Sequence, residues 1–254
     1  MKKALITGAS GGIGLEVARK LAAQGYNLTL VARNKEKLIS LQESLGKDRH
    51  QVISLDLTKK ADILQLSNHI TNNRYDVLIN NAGTGTYGQF VEIPLEDQLS
   101  TMTLNMEAVV TLSYAYLKNA RSGDALINIG SLLAHSSLPG GAVYAATKSF
   151  VANFSESLWF EFKNKGIFVA GFHPGAADSD FHHNAGKETS AFPKFVVSSV
   201  AQVAEELTNA LNNRSKPRIV QGLKNRMMLF GFRLLSRKAA VNIMGKISPG
   251  IPHS

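Results

Sequence analysis

The sequence predicts an α/β fold in a single domain, and three observations predict it. The opening stretch KKALITGASGGIGLEVARKLAAQGYNLTLVAR reads as strand, glycine turn, helix and strand, the first half of a nucleotide-binding unit. Short apolar runs then recur at 52–55, 77–79, 125–129, 168–172 and 218–220, with segments of helical character between them. The 254 residues contain no linker, repeat or low-complexity block, and a chain of that length can bury a full core as one unit.

In the first turn Gly8, Gly12 and Gly14 form G-x-x-x-G-x-G around Ser10, Gly11 and Ile13. Gly8 allows the tight turn, Gly12 lets the backbone approach a pyrophosphate, and Gly14 lets the helix pack closely on the strand. The helix N-terminus then turns its free N–H groups toward the phosphates. No Gly-Lys-Ser/Thr follows, so a kinase-type phosphate loop is excluded. Thr7 and Ser10 could add hydroxyl contacts. The second strand, 28–32, ends in Arg33 and Asn34, where an NAD-specific site usually places an acid. A carboxylate accepts hydrogen bonds from a ribose 2′-OH, whereas a guanidinium holds a 2′-phosphate, so the position favours NADP(H) over NAD(H). The alternative is a solvated strand-end charge, and Gly11 offers no second base within the turn.

A helix is predicted over 36–45, and the third strand ends in Asp56 and Leu57. Asp56 either meets an adenine amino group or caps the helix that begins near Lys60, and both readings stand. The fourth strand leads into Asn80, Asn81, Ala82 and Gly83. Such residues suit a strand end packed against a cofactor, and they also make ordinary turns. The fifth strand is followed by Ser131, with Tyr144 and Lys148 further along in YAATK. Four apart on a helix, Tyr144 and Lys148 rise from one face. At about 4 Å and an effective dielectric of about 20, an ammonium would favour the phenolate by roughly 4 kcal/mol, about three pKa units before burial opposes it. Taken alone, the pair could equally be a half-buried Tyr beside a solvated Lys.

With TGASGGIG at the turn, NNAG after the fourth strand, and Ser131 with YAATK, the chain resembles the short-chain dehydrogenase/reductase family from Lys3 to about Phe181. The resemblance implies one doubly wound Rossmann-type domain, a parallel sheet of about seven strands flanked by helices, and reversible hydride transfer between NADP(H) and a carbonyl or alcohol. It makes Tyr144 the proton donor in reduction and gives Lys148 two tasks, lowering the Tyr144 pKa and bonding the nicotinamide ribose. Ser131 would orient the substrate oxygen. Asn105 would hold a water that relays protons to Lys148, the alternative being a mid-helix Asn bonding backbone. Cofactor contacts are implied at Gly8, Ser10, Gly11, Gly12, Ile13, Gly14, Arg33, Asp56, Leu57, Asn81, Ala82, Gly83, Pro174 and Gly175. Ser179 stands where the family has a Thr that bonds the carboxamide. A homodimer or homotetramer is implied as well.

Residues 178–199 read as an irregular lid whose His182, His183, Gly186, Phe192, Pro193 and Phe195 border the site. With Tyr87, Leu132, Leu133 and Leu138 they predict a pocket for a carbonyl compound with an apolar body. Trp159 and Phe160 are expected in the core or an oligomer contact, and neither His135 nor His173 is assigned to chemistry. The rival readings are a 3-oxoacyl-thioester (acyl carrier protein) reductase and a catalytically quiet NADP-binding module.

Charge is unevenly placed. All 19 acids and 19 of the 28 bases lie at or before Glu206, so the net +9 belongs to the nine bases from Arg214 to Lys246. Nucleic-acid binding by the body is therefore not expected. Nor is a metal site, in a chain without cysteine. A strand from Lys3 leaves no room for a signal peptide and no apolar run spans a bilayer, so a cytoplasmic protein is expected. Residues 1–222 are read as the catalytic domain and 223–254 as its basic extension. On one helix Arg226, Arg233 and Arg237 would share a face with Phe230, suited to peripheral contact of residues 224–246 with an anionic membrane. The alternative is a helix packed on its own domain or on a neighbouring subunit.

Overall fold

Strands that are apolar at consecutive positions belong in the middle of a sheet covered on both faces, and this chain arranges them so. The computed structural model describes residues 1–179, 181 and 197–251. Its strands are β1 (Lys3–Thr7), β2 (Asn27–Ala32), β3 (Gln51–Ser54), β4 (Val77–Asn80), β5 (Ala125–Ile129) and β6 (Phe168–His173), followed by β7 (Ala176–Asp178), β8 (Val197–Ser199) and β9 (Arg218–Val220). Seven of them form one sheet in the order β3-β2-β1-β4-β5-β6-β9, with every pairing parallel. Strands β7 and β8 make a separate parallel pair where the sequence suggests only irregular chain.

The helices are α1 (Gly12–Ala23), α2 (Lys35–Leu45), α3 (Lys60–Asn72), α4 (Leu95–Met102), α5 (Ala108–Asn119), α6 (Ala142–Phe162) and α7 (Val200–Asn213). Alternate strand residues face opposite sides. Ala4 and Ile6 of β1 meet Val17 and Leu21 of α1, Leu38 of α2 and Leu207 of α7. Leu5 points the other way, into a second core with Ile63 and Leu66 of α3 and Leu112 of α5. Truncating a fully buried side chain such as Leu5 to Ala would cost about 2–5 kcal/mol. Trp159 is partly buried against both cores, while Phe160 is exposed. Between β1 and β4 the strand order reverses, and ligands of open parallel sheets bind in the crevice at that point, outside the strands' carboxyl ends.

The C-terminal segment corrects the reading of one helix. Two helices occur, α8 (Leu223–Arg233) and α9 (Arg237–Ile247), because Ser236 leaves the helical conformation and its hydroxyl accepts a hydrogen bond from the Ala239 N–H to cap α9. Arg237 therefore opens a new helix and shares no helical face with Arg226 and Arg233. Both helices pack on their own domain. Met244 is buried with Tyr87, Leu138 and Ala145, and Phe232 lies against that cluster. No helix among the described residues is long and apolar enough to cross a membrane.

Candidate active site

The glycine turn is held by the end of β4. Asn81 Nδ2 donates to the carbonyls of Thr7 (2.9 Å) and Gly8 (3.1 Å), and the Thr7 hydroxyl accepts from the N–H groups of Asn81 and Ala82, both at 3.0 Å. Thr7 is thus buried and committed to the fold, which corrects the expectation of a hydroxyl free for a cofactor. Gly8 has φ +68°, and a Cβ there would lie 2.9 Å from Ala82 Cα. At Gly14 a Cβ would stand 2.3 Å from the Gly8 carbonyl oxygen, so helix and turn touch backbone to backbone. No side chain caps the N-terminus of α1 and its first turn holds no acid. Uncapped N–H groups at the positive end of a helix dipole fit the phosphates of a dinucleotide.

From this turn a cleft of about 650 Å³ runs across the strand ends. Among the described residues, those predicted to touch cofactor or substrate line it except Thr7, which is held within the fold, Gly14, which packs behind the turn, and Asn105. Arg33 reaches it at the end of β2, and so does Lys37, a base the sequence reading missed. Its spacing was the signal, four residues after Arg33 and in the first turn of α2. Asn34 also borders the cleft, but its side chain caps α2 by accepting from the Lys37 N–H at 2.7 Å. Asp56 does not cap α3. Its Oδ1 accepts from the N–H (3.1 Å) and hydroxyl (2.8 Å) of Thr58, and α3 begins at Lys60, after the N-cap Lys59, without a side-chain cap. Asp56 therefore stays in a tight turn at the cleft wall.

At the other end of the cleft Ser131 precedes a short 3-10 turn, while Tyr144 and Lys148 stand one turn apart on α6. All three are buried, at 8, 6 and 4 % exposure. The Ser131 hydroxyl bonds the Tyr144 phenol and accepts from the Leu133 N–H at 3.1 Å. Lys148 Nζ donates to the Ile129 carbonyl (3.0 Å) and lies 5.9 Å from the Tyr144 ring centre. Burial pushes the phenol up to about 12, with the Ser131 bond opposing, and holds the ammonium down to about 8. This reverses the expected direction for Tyr144, because burial in a dry pocket is the largest influence on the phenol. At neutral pH the phenol keeps its proton and the lysine is charged.

Asn105 sits in a π-helical turn, Thr103–Glu107, between α4 and α5. Its Oδ1 accepts from the Thr84 N–H (3.0 Å), and its Nδ2 donates to the Thr84 carbonyl (2.8 Å) and the Thr147 hydroxyl (3.0 Å). It bonds backbone, but that of the loop after β4 and not of its own helix. A Cβ on Gly83 would lie 3.2 Å from both Asn105 Oδ1 and Lys148 Nζ, so that loop presses against the pair. His173 is buried behind Ser131, with Nδ1 3.2 Å from the Ser131 carbonyl oxygen, and burial beside His135 lowers its pKa to about 3. Neither histidine lines the cleft.

Tyr87, Leu132, Leu133 and Leu138 line the cleft near Tyr144, as does Phe181, whose ring centre is 5.7 Å from that of Tyr144. The predicted lid residues His182, His183, Gly186, Phe192, Pro193 and Phe195 lie outside the described residues. The rest of the apolar wall comes from the C-terminal helices, through Met228, Leu229, Phe232, Met244, Ile247 and Pro249. Past α9 the chain is tied to the loop before α6. The Ser248 hydroxyl donates to the Pro139 carbonyl, and a Cβ on Gly250 would lie 2.0 Å from the Gly140 oxygen.

A doubly wound parallel sheet with a glycine turn at its switch point, facing a buried phenol and ammonium, defines a nucleotide-dependent oxidoreductase. Residues 2–190 match the short chain dehydrogenase family, and the chain belongs to it. A 3-oxoacyl-[acyl-carrier-protein] reductase of Bos taurus is 32% identical over 191 residues, spanning 74% of this chain and 80% of its own. The short-chain dehydrogenase from Sphingobium yanoikuyae in complex with NADPH superposes with a TM-score of 0.82 at 30% identity, covering 92% of this chain and 94% of that one. The bulky-bulky ketone specific alcohol dehydrogenase from Comamonas testosteroni does so with a TM-score of 0.77 at 28% identity, covering 92% of each.

Proposed function

We propose that this protein is an NADPH-preferring reductase of ketones or aldehydes that carry an apolar body. The observation that carries the reading is one cleft with the glycine turn at one end, Ser131, Tyr144 and Lys148 in its depth, and an apolar wall beside them. Gly8 to Ile13 would hold the pyrophosphate, Arg33 and Lys37 a 2′-phosphate, Asp56 and Leu57 the adenine, and Asn81 to Gly83 with Pro174, Gly175 and Ser179 the remainder. NADPH, when bound, supplies the hydride. Ser131 donates a hydrogen bond to the substrate carbonyl oxygen, and Tyr144 gives that oxygen its proton as the alkoxide forms. A phenol that burial pushes up to about 12 carries its proton at neutral pH, the form that reduction requires. The Lys148 ammonium faces the phenolate left behind, and Asn105 fixes the loop that packs against Lys148. The bulky-bulky ketone specific relative supports a ketone substrate, and the apolar wall supports an apolar body on it.

A second reading, reduction of a 3-oxoacyl thioester, is favoured by the Bos taurus relative and by a basic C-terminal segment able to attract an acidic carrier. A quiet binding module would need no buried Tyr–Lys pair. Assembly into a dimer or tetramer is also proposed, supported by exposed Leu99, Met102, Tyr114 and Phe160 on α4, α5 and α6.

Steady-state assays of an alkyl and aryl ketone panel with NADPH and NADH test the reading. Tyr144→Phe should lower turnover by about 10²–10⁴-fold, and Arg33→Ala should erase the preference for NADPH. Full turnover in the Tyr144 variant would end the mechanism. A preference for free over carrier-bound 3-oxoacyl substrates at low salt would remove the second reading.

A further inference from the structure

We propose that the outer face of α8, with the bases around it, docks on an anionic phospholipid surface. Met228, Leu229 and Phe232 turn inward and line the cleft. The opposite side carries Leu223, Met227, Phe230 and Leu234, exposed at 65, 66, 66 and 75 %. At 3.6 residues per turn these four fall within an arc of about 60°, a continuous apolar stripe where a water-facing helix carries polar groups. Lys224 flanks the stripe on one side, Arg226 and Arg233 on the other. Among the described residues none of these bases is ion-paired with an acid. No acid occurs in the chain after Glu206 to neutralise them.

An apolar stripe between unpaired bases matches the boundary of an anionic bilayer, where the stripe enters the acyl region and the bases reach lipid phosphates. Helix α9 adds Arg237, Lys238 and Lys246 to the acid-free segment, and its Ile247 is half exposed while also lining the cleft. The docking helix α8 thus lines the apolar end of the cleft with its inner face. A second copy of this chain fits the stripe less well. A two-fold contact would bring Arg226 and Arg233 against the same bases of the partner, with no acid in the segment to offset them.

Flotation of the full-length protein tests this, with vesicles of phosphatidylcholine alone or with about one third phosphatidylglycerol. The protein should float with the anionic vesicles and not the neutral ones, and recovery should fall as salt rises. Met227→Ser with Phe230→Ser should lower partition at least about tenfold. Arg226→Ala with Arg233→Ala should lower it about 25-fold, at about fivefold per base. None of these four side chains lines the cleft, so turnover of a water-soluble ketone stays unchanged, and an unchanged melting temperature reports an intact fold without reference to turnover. Equal recovery on both vesicles overturns the proposal, as do variants that float like the wild type. It is also overturned if the Met227/Phe230 change abolishes a dimer in sedimentation while the wild type binds no vesicle.

Discussion

Replacing Lys148 by Met separates the lysine's part in chemistry from its burden on the fold. Burial lowers the ammonium from 10.5 to about 8, and at 1.36 kcal/mol per pKa unit this gap disfavours the folded state by about 3 kcal/mol at neutral pH. Methionine has similar length and no charge to desolvate. What it loses is the bond to the Ile129 carbonyl at 3.0 Å, and a buried acceptor left short of its partner costs about 1–3 kcal/mol. Lys148→Met should therefore be about 1 kcal/mol more stable than wild type at pH 7, a rise of roughly 2–4 °C in Tm. The pH dependence gives the sharper check. Between pH 8 and 10.5 the unfolded lysine binds more protons than the folded one, so wild type gains stability as pH rises through that window and the variant does not. Its advantage should shrink above pH 8 and reverse by 10.5. Thermal melts followed by circular dichroism, without dinucleotide, measure both. A variant that melts below wild type at pH 7, or a gap that does not move between pH 8 and 10.5, would refute burial as the dominant influence on this lysine.

The rate of carbonyl reduction should decline as pH rises through about 8, where Lys148 sheds its proton, and a flat profile to pH 10 would oppose that assignment. Gly14→Ala forces a Cβ to 2.3 Å from a backbone oxygen and should destabilise by more than about 3 kcal/mol. Gly11→Ala meets nothing within 4 Å, at φ −174°, so its melting temperature should match wild type. Phe232→Ala removes part of the apolar wall and should raise KM for bulky ketones about tenfold with kcat retained, read from steady-state kinetics on an alkyl ketone series.

Much of the architecture was legible because its information is local. The five inner strands of the main sheet, β1, β2, β4, β5 and β6, are largely apolar runs buried on both faces, and the turn from Gly8 to Gly14 declares a close backbone approach by residue type alone. The missed features depend on contacts distant in sequence. Nothing near Met244 signals that it meets Tyr87 and Leu138. Strands β7 and β8 are three residues each, too short for a period, and they exist only as a pair. Helical periodicity runs on across Leu234 and Leu235, so the break before Ser236 appears only where its hydroxyl turns back to cap α9. For Tyr144 and Lys148 the spacing predicted proximity correctly, but the direction of the phenol's shift followed from how dry the pocket is, a property of the whole fold.

The knot of Ser248 and Gly250 on Pro139 and Gly140 fastens the far end of the polypeptide to the hinge from which the tyrosine-bearing helix departs. An affinity tag or fusion partner at this end of the chain would therefore load the contact that holds the segment before α6. Handles for purification or immobilisation are better placed ahead of Lys3, whose strand begins at the amino ends of the strands, opposite the cleft.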